Sequence, residues 1–190
     1  MKAHRRRGFT LVELMITIAV IGILGLVVTP GILTYIPQYR VNRAAKALAT
    51  EMNLTRMRAI AKNRIYYVVF AAGSDQTVKV YEESTNDTSW STSDTLVKTI
   101  ALATEFPNVR LDYNSVTGLG GTSLTSAVTF PNDRAVFLPN GLLSTPGAFY
   151  LMPAVDKNVR NDRMRAVEVG RAGQVTLYRY DTATSGWEEM

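Results

Sequence analysis

The sequence predicts an α+β fold in which one long N-terminal helix packs on an antiparallel β-sheet head. Three observations lead there. Residues 9–28 are apolar or small except for a single carboxylate, Glu13. Residues 38–64 repeat their apolar positions at spacings of three and four, the signature of an amphipathic helix. From residue 65 onward the period drops to two, with turn residues between short runs rich in Val, Tyr and Phe, and a long helix followed by many short strands is an α+β pattern.

Twenty helical residues rise roughly 30 Å, about the thickness of a bilayer's hydrocarbon core, so residues 9–29 read as a transmembrane helix. A charge inside such a helix costs on the order of 2.5–3.5 kcal/mol, and Glu13 therefore calls for a partner. The preceding residues 1–8 carry Lys2, Arg5, Arg6 and Arg7 with the lone histidine, His4, a basic flank that holds its side of the helix in the cytoplasm. An uncleaved anchor or a secretory signal peptide would use the same flank. Residues 27–30, Val-Val-Thr-Pro, lack the small-x-small site of secretory cleavage, and a plain anchor leaves Glu13 unexplained.

The arm, residues 30–64, begins with two prolines, Pro30 and Pro37, each of which removes a helical hydrogen bond; a kink or local unwinding is expected there. Val41, Ala45, Leu48, Met52, Thr55 and Ala59 then form a narrow apolar stripe opposite Arg40, Arg43, Lys46, Arg56, Arg58 and Lys62. That stripe is expected against a sheet, joining head to membrane helix in a stem of roughly 80 Å if helical throughout.

The head, residues 65–190, starts with a hairpin: 65–71, a turn at Gly73, Ser74 and Asp75, then 76–82. Further strands are expected at 97–102, 109–113, 127–130, 134–138, 148–152, 164–169 and 174–180, with turn chemistry at Asn140-Gly141 and at 170–173. Residues 84–95 and 114–126 are rich in Ser, Thr, Asn and Gly and are expected to be exposed mobile loops, with Trp90 as a contact residue at one tip. Asn86, Asp87 and Asp94 are loop oxygens of the type that bind calcium weakly, but their spacing is not that of an EF-hand.

The chain of 190 residues leaves room for one modest soluble domain beyond the membrane segment, and it contains no cysteine, so neither disulfides nor thiolate metal sites are available. The net charge of +5 is unevenly spread: the leader carries four basic residues, residues 38–64 seven against Glu51, and residues 65–190 ten basic against fourteen acidic. A basic arm under a mildly acidic head suits contact with anionic headgroups or with neighbouring arms better than a nucleic-acid groove. No nucleophile elbow, HExxH, Walker loop or dinucleotide fingerprint is present, so no enzyme activity, cofactor, metal or small-molecule substrate is expected.

Gly8-Phe9-Thr10-Leu11-Val12-Glu13 behind a basic leader resembles the class III signal of type IV pilins and type II secretion pseudopilins. The resemblance implies that a prepilin peptidase cuts between Gly8 and Phe9 and that Phe9 becomes the N-methylated amino terminus. It also implies that Glu13 directs subunit assembly by pairing with the Phe9 ammonium of a neighbour. Phe130, the run Phe-Leu-Pro-Asn-Gly at 137–141, Phe149 and the run Arg-Ala-Val-Glu-Val-Gly-Arg at 165–171 are similar to the heads of H-type pseudopilins and FimT-like minor pilins. Type IV pilins often close a C-terminal loop with a disulfide, so its absence points to a pseudopilin or a disulfide-free minor pilin. The implied protein is lollipop-shaped and single-pass in the inner membrane, with a periplasmic head. Its partners would be other pseudopilins or pilins in a filament that drives export of folded proteins by a type II secretion system.

The alternative is a FimT-like minor pilin that captures DNA during uptake. Lys157, Arg160, Arg163, Arg165 and Arg171 would be its phosphate contacts. DNA-binding pilins of that type carry Gly-Arg-x-Arg, whereas here Gly170-Arg171-Ala172 is followed by Gly173. Asp156, Asp162 and Glu168 interrupt the basic set, and nucleic acid is not the expected partner.

Overall fold

The computed structural model describes residues 9–84, 90, 91 and 93–190, and the side chains of residues 25–34 lie outside that description. Helix α1 (Leu11–Lys62) runs through Pro30 and Pro37 without interruption. Of the kink or unwinding expected at the prolines, unwinding does not occur. The chain instead separates by its contacts into one unit ending at Ile36 and a second, Pro37–Met190. The part of the helix from Pro37 to Lys62 therefore falls in the same unit as the strands.

In the first unit the large apolar side chains of Leu11, Val12, Leu14, Met15, Ile16, Ile18, Val20, Ile21, Ile23 and Leu24 are all exposed. Among the described residues no helix is long and apolar enough to cross a membrane. The described apolar run, 11–24, spans about 21 Å at ~1.5 Å per residue. Most of the remainder of the expected 9–29 span falls on side chains outside the description.

In the second unit every member of the expected stripe is buried, and Ala44, Ala49 and Glu51 widen it. Among the described residues nine strands follow: β1 (Tyr66–Ala71), β2 (Thr77–Glu82), β3 (Thr95–Ala101), β4 (Val109–Leu111), β5 (Arg134–Phe137), β6 (Gly147–Pro153), β7 (Arg165–Val169), β8 (Val175–Asp181) and β9 (Gly186–Glu189), with a single helical turn α2 (Leu102–Glu105) after β3. They form two antiparallel sheets ordered β3-β2-β1-β5 and β4-β6-β7-β8-β9. The alternation of β1 and β2 turns Tyr66, Val68, Phe70, Val78 and Val80 inward, and β6 and β7 contribute Phe149, Leu151, Val167 and Val169. Together with the helical stripe these make one core.

Polar ties fix the helix onto the sheets. The Glu51 carboxylate, almost fully buried, accepts from Arg58 Nη1 and from Lys98 Nζ of β3, both at 2.6 Å. Burial pushes this carboxyl up, but the bonds from Lys98 and Arg58 outweigh it and hold it below the usual range. Lys62 Nζ and Tyr66 Oη both donate to Glu82 at 2.6 Å, joining the helix end to β1 and β2. Arg56 Nε donates to Gly141 O at 2.9 Å. The turn between β7 and β8 closes on the same place: a Cβ at Gly173, whose φ is +76, would lie 2.6 Å from Gly141 O.

Several expectations at the margins change. Residues 127–130 make only an isolated bridge, Val128 with Phe149. Pro131 ends it, since the chain turns immediately into a 3-10 turn, Pro131–Asp133. β9 was not expected, because Gly-Trp-Glu-Glu has little apolar patterning; it forms because Trp187 packs on Tyr150 and Tyr180 at ring-centroid distances of 5.3 and 5.2 Å.

The segment 114–126 is not a mobile loop either. Asn114 and Val116 are buried, Leu124 packs with Val116, Tyr150 and Met152, and Trp187 Nε1 donates to Thr117 O at 2.8 Å, so the segment covers the outer face of the second sheet. In the other segment Asn86 and Asp87 lie outside the described residues. Asp94 is buried and accepts from the backbone N–H groups of Ser84 and Ser91 at 3.2 and 2.9 Å. It clasps the neck of the loop instead of facing solvent. Trp90 is no exposed tip: it stands edge-on to Tyr81 at 6.2 Å with the Arg134 guanidinium 4.7 Å from its ring centroid.

Candidate functional site

Two sets of residues were singled out by the sequence, one at the start of α1 and one on the head. The leader residues Lys2, Arg5, Arg6, Arg7 and Gly8 lie outside the described residues. Phe9 is 79% exposed immediately before the helix. Thr10 is the N-cap: its Oγ1 accepts from the Glu13 N–H at 3.2 Å, and its carbonyl accepts the first helical bond, from Leu14 N, also at 3.2 Å. Glu13 therefore stands at the third helical position. That position favours a carboxylate, because the first turn presents unsatisfied N–H groups and the positive end of the helix dipole.

This capping role of Thr10 was missed in the sequence, although the Thr-x-x-Glu spacing that signals a capping box is there to read. The Glu13 side chain is exposed, and among the described residues no cation lies within ion-pair distance of it. Around it the helix surface is apolar through Leu24 apart from Thr17, whose hydroxyl donates to Leu14 O at 2.8 Å. An exposed carboxylate there can accept a hydrogen bond or an ion pair from a donor on another molecule, or from water.

The five basic residues of the head do not converge. Lys157 Nζ pairs with Asp112 at 2.6 Å and lies 4.8 Å from the ring centroid of Tyr113. Arg160 makes two 2.6 Å bonds to Asp162, and these hold the Asp162 carboxyl below its ordinary value against the opposing effect of burial. Arg163 is buried in an ion pair with Asp156 at 2.9 Å. Burial pushes the Asp156 carboxyl up, and Arg163 and Arg160 oppose it.

Arg165 is buried on the inner face of β7, where its Nε donates to Asn42 Oδ1 of α1 at 2.6 Å and its Nη1 to the carbonyls of Asp162 and Met164. Burial, and then the nearby Arg179, bring its pKa down to about 10. Arg171 is exposed, but it lies in the turn after Val169, at the opposite end of β7 from Arg165. Of five candidate phosphate contacts, two are inside the fold, two are bonded to carboxylates and one stands apart. Asp112 was not read in the sequence as a neutralising group, because its lysine is 45 residues away. Among the described residues no group of His, Asp and Glu side chains is placed to hold a metal ion.

Comparison with known proteins adds two family matches. The model of the prokaryotic N-terminal methylation motif matches residues 3–29, and that of the type II transport protein GspH matches residues 44–173. No curated protein matches the chain. Among solved structures the chain is similar to the minor pseudopilin EpsH from the type II secretion system of Vibrio cholerae, at 14% identity and a TM-score of 0.50 over 74% of this chain and 96% of that one. It is also similar to the type IV minor pilin FimU of Pseudomonas aeruginosa, at 12% identity and a TM-score of 0.49 over 81% and 96%. At these identities the first likeness speaks for the fold alone, and the second carries no further weight.

Proposed function

The chain belongs to the family of the type II transport protein GspH, and from that premise we propose that it is a minor pseudopilin of a type II secretion system. It assembles through its N-terminal helix into a periplasmic pseudopilus that drives folded proteins across the outer membrane. The observation that carries this reading is the run 11–24 of α1, ten large apolar side chains exposed to the surroundings around one carboxylate. A surface of that kind is stable only in lipid or against other helices.

In this reading prepilin peptidase removes residues 1–8 at the cytoplasmic face, guided by Lys2, Arg5, Arg6 and Arg7, and methylates the new amino terminus on Phe9. The proposed span, 9–29, holds the protein in the inner membrane with the head in the periplasm. When subunits stack, Glu13 accepts the Phe9 ammonium of its neighbour. Two charges that are separately costly in an apolar setting then become one pair, and breaking such a pair costs about 3–5 kcal/mol. The proposed role is structural, with no catalytic step. The dispersed basic residues of the head give no support to DNA capture.

Mass spectrometry of the amino terminus tests the proposal. The protein purified from peptidase-competent cells should begin at methylated Phe9, and a bulky replacement of Gly8 should leave the leader attached. An intact amino terminus, or a mature chain that begins elsewhere, would overturn it.

A further inference from the structure

On the outer face of the first sheet, away from the core, lies a hollow of about 210 Å³ lined by Tyr67, Trp90, Asn132, Arg134, Ser144 and Thr145, with Pro131 and Val136 completing it. The register explains why these residues meet. Tyr67 pairs with Tyr81 on one side and with Val136 on the other, so the three share a face. The backbone of Ser144 donates to Val136 O at 2.9 Å, bringing the two hydroxyl residues beside β5. Trp90 reaches across from the β2–β3 connection and is held there by Tyr81 and Arg134.

The chemistry of the lining is one-sided. The indole Nε1–H of Trp90 is buried and has no acceptor among the described residues, although a buried donor ordinarily finds one. Arg134 supplies a permanent cation, Ser144 and Thr145 supply hydroxyls, and Asn132 supplies an amide. Among the described residues no carboxylate lines the hollow; Asp133, next in sequence to two lining residues, is not part of it. A site rich in donors and positively charged, with an N–H unused among the described residues, is complementary to an anionic acceptor of small size. A guanidinium beside such donors suits a planar carboxylate best.

We propose that this hollow is a docking site for an acidic side chain on a protein partner of the head, whose carboxylate accepts from Trp90 Nε1 and Arg134. This inference does not depend on which filament the subunit joins or on how its helix assembles. It gives the head a contact of its own, formed by charge complementarity and placed on the sheet face opposite the helix.

The test uses the full chain in zwitterionic detergent, with the two indole N–H signals followed by NMR. Trp187, whose Nε1 is bonded to Thr117 O, serves as the internal control, and Trp90→Phe assigns the signals. The probe is the peptide acetyl-Asp-Glu-Asp-Glu-amide, compared with acetyl-Asn-Gln-Asn-Gln-amide. The acidic peptide should shift the Trp90 indole saturably and leave Trp187 in place, and the neutral peptide should shift neither. Arg134→Gln should weaken the acidic peptide by roughly tenfold or more, as expected for loss of a charged hydrogen bond. The Trp187 signal verifies that this variant is folded. Three results would overturn the proposal: no saturable shift at millimolar peptide, an equal response to the neutral peptide, or undiminished binding to folded Arg134→Gln.

Discussion

Removing the cations around Glu51 should destabilise the head more than removing Glu51 itself. The Glu51 side chain is 3% exposed, whereas Arg58 and Lys98 are 32% and 45% exposed. After Glu51→Gln, both cations can turn to water, and the loss is limited to charged hydrogen bonds already shared with solvent, about 2 kcal/mol. Arg58→Leu together with Lys98→Leu leaves a carboxylate buried without a counter-charge, for which about 3–5 kcal/mol is typical. Either cation removed alone should cost about 1–2 kcal/mol, because the other remains bonded. The Glu51 carboxyl is held below its usual range, so its contribution is present above the unfolded value near pH ~4.3 and is lost as pH falls through the lower folded value. Urea denaturation of the full chain in detergent, at neutral pH and at acid pH, measures all of these quantities. A Glu51→Gln penalty as large as that of the double cation variant would refute the reasoning, as would a penalty that persists undiminished at acid pH.

Gly173→Ala should destabilise the head by roughly 2–3 kcal/mol, since φ is +76 and the new Cβ would meet Gly141 O and Arg56 within 2.6–2.8 Å, combining left-handed strain with a backbone clash. Gly120→Ala, with nothing within 4 Å, serves as the near-neutral control in the same denaturation series. Duplex DNA should bind the protein weakly in a filter or anisotropy assay, and replacing Arg160, Arg163 and Arg171 together should leave the salt slope nearly unchanged. Tight, steeply salt-dependent binding that is lost when Arg160, Arg163 and Arg171 are replaced would contradict the pairing described above.

The α+β order, the helical stripe and eight of the nine strands can be read from periodicity, because Val41 to Ala59 and Tyr66 to Tyr180 obey the repeat that their elements impose. Where tertiary contact decides, the pattern is silent. β9 depends on Trp187 finding Tyr150 and Tyr180, and residues 114–126 look like a solvated loop until Leu124 and Val116 are placed against the second sheet. Composition misleads for Asp94 and Trp90 in the same way. One turns back to clasp its own loop and the other crosses the sheet to Arg134, and nothing local in Ser- and Thr-rich sequence signals either. The basic residues of the head are a run only in sequence: Arg163 and Arg165 are turned inward by their neighbours, and Lys157 is neutralised by Asp112 from a distant strand end. At the start of α1 the local signal suffices, since Thr10 and Glu13 carry the cap in their spacing.

The role of Glu13 in assembly is the central claim, and co-purification measures it most directly. Glu13→Leu removes a costly charge from an apolar helix, so membrane insertion should be at least as good as before. The neighbour's Phe9 ammonium would then lack its counter-charge, a loss of about 3–5 kcal/mol per contact. Glu13→Asp should be intermediate, since the charge survives with a shorter reach. Crosslinking or co-purification with the other pilin-like subunits, at matched expression, should show Glu13→Leu correctly cut before Phe9, retained in the inner membrane and absent from filaments. Incorporation equal to that of the unmodified protein would contradict the account.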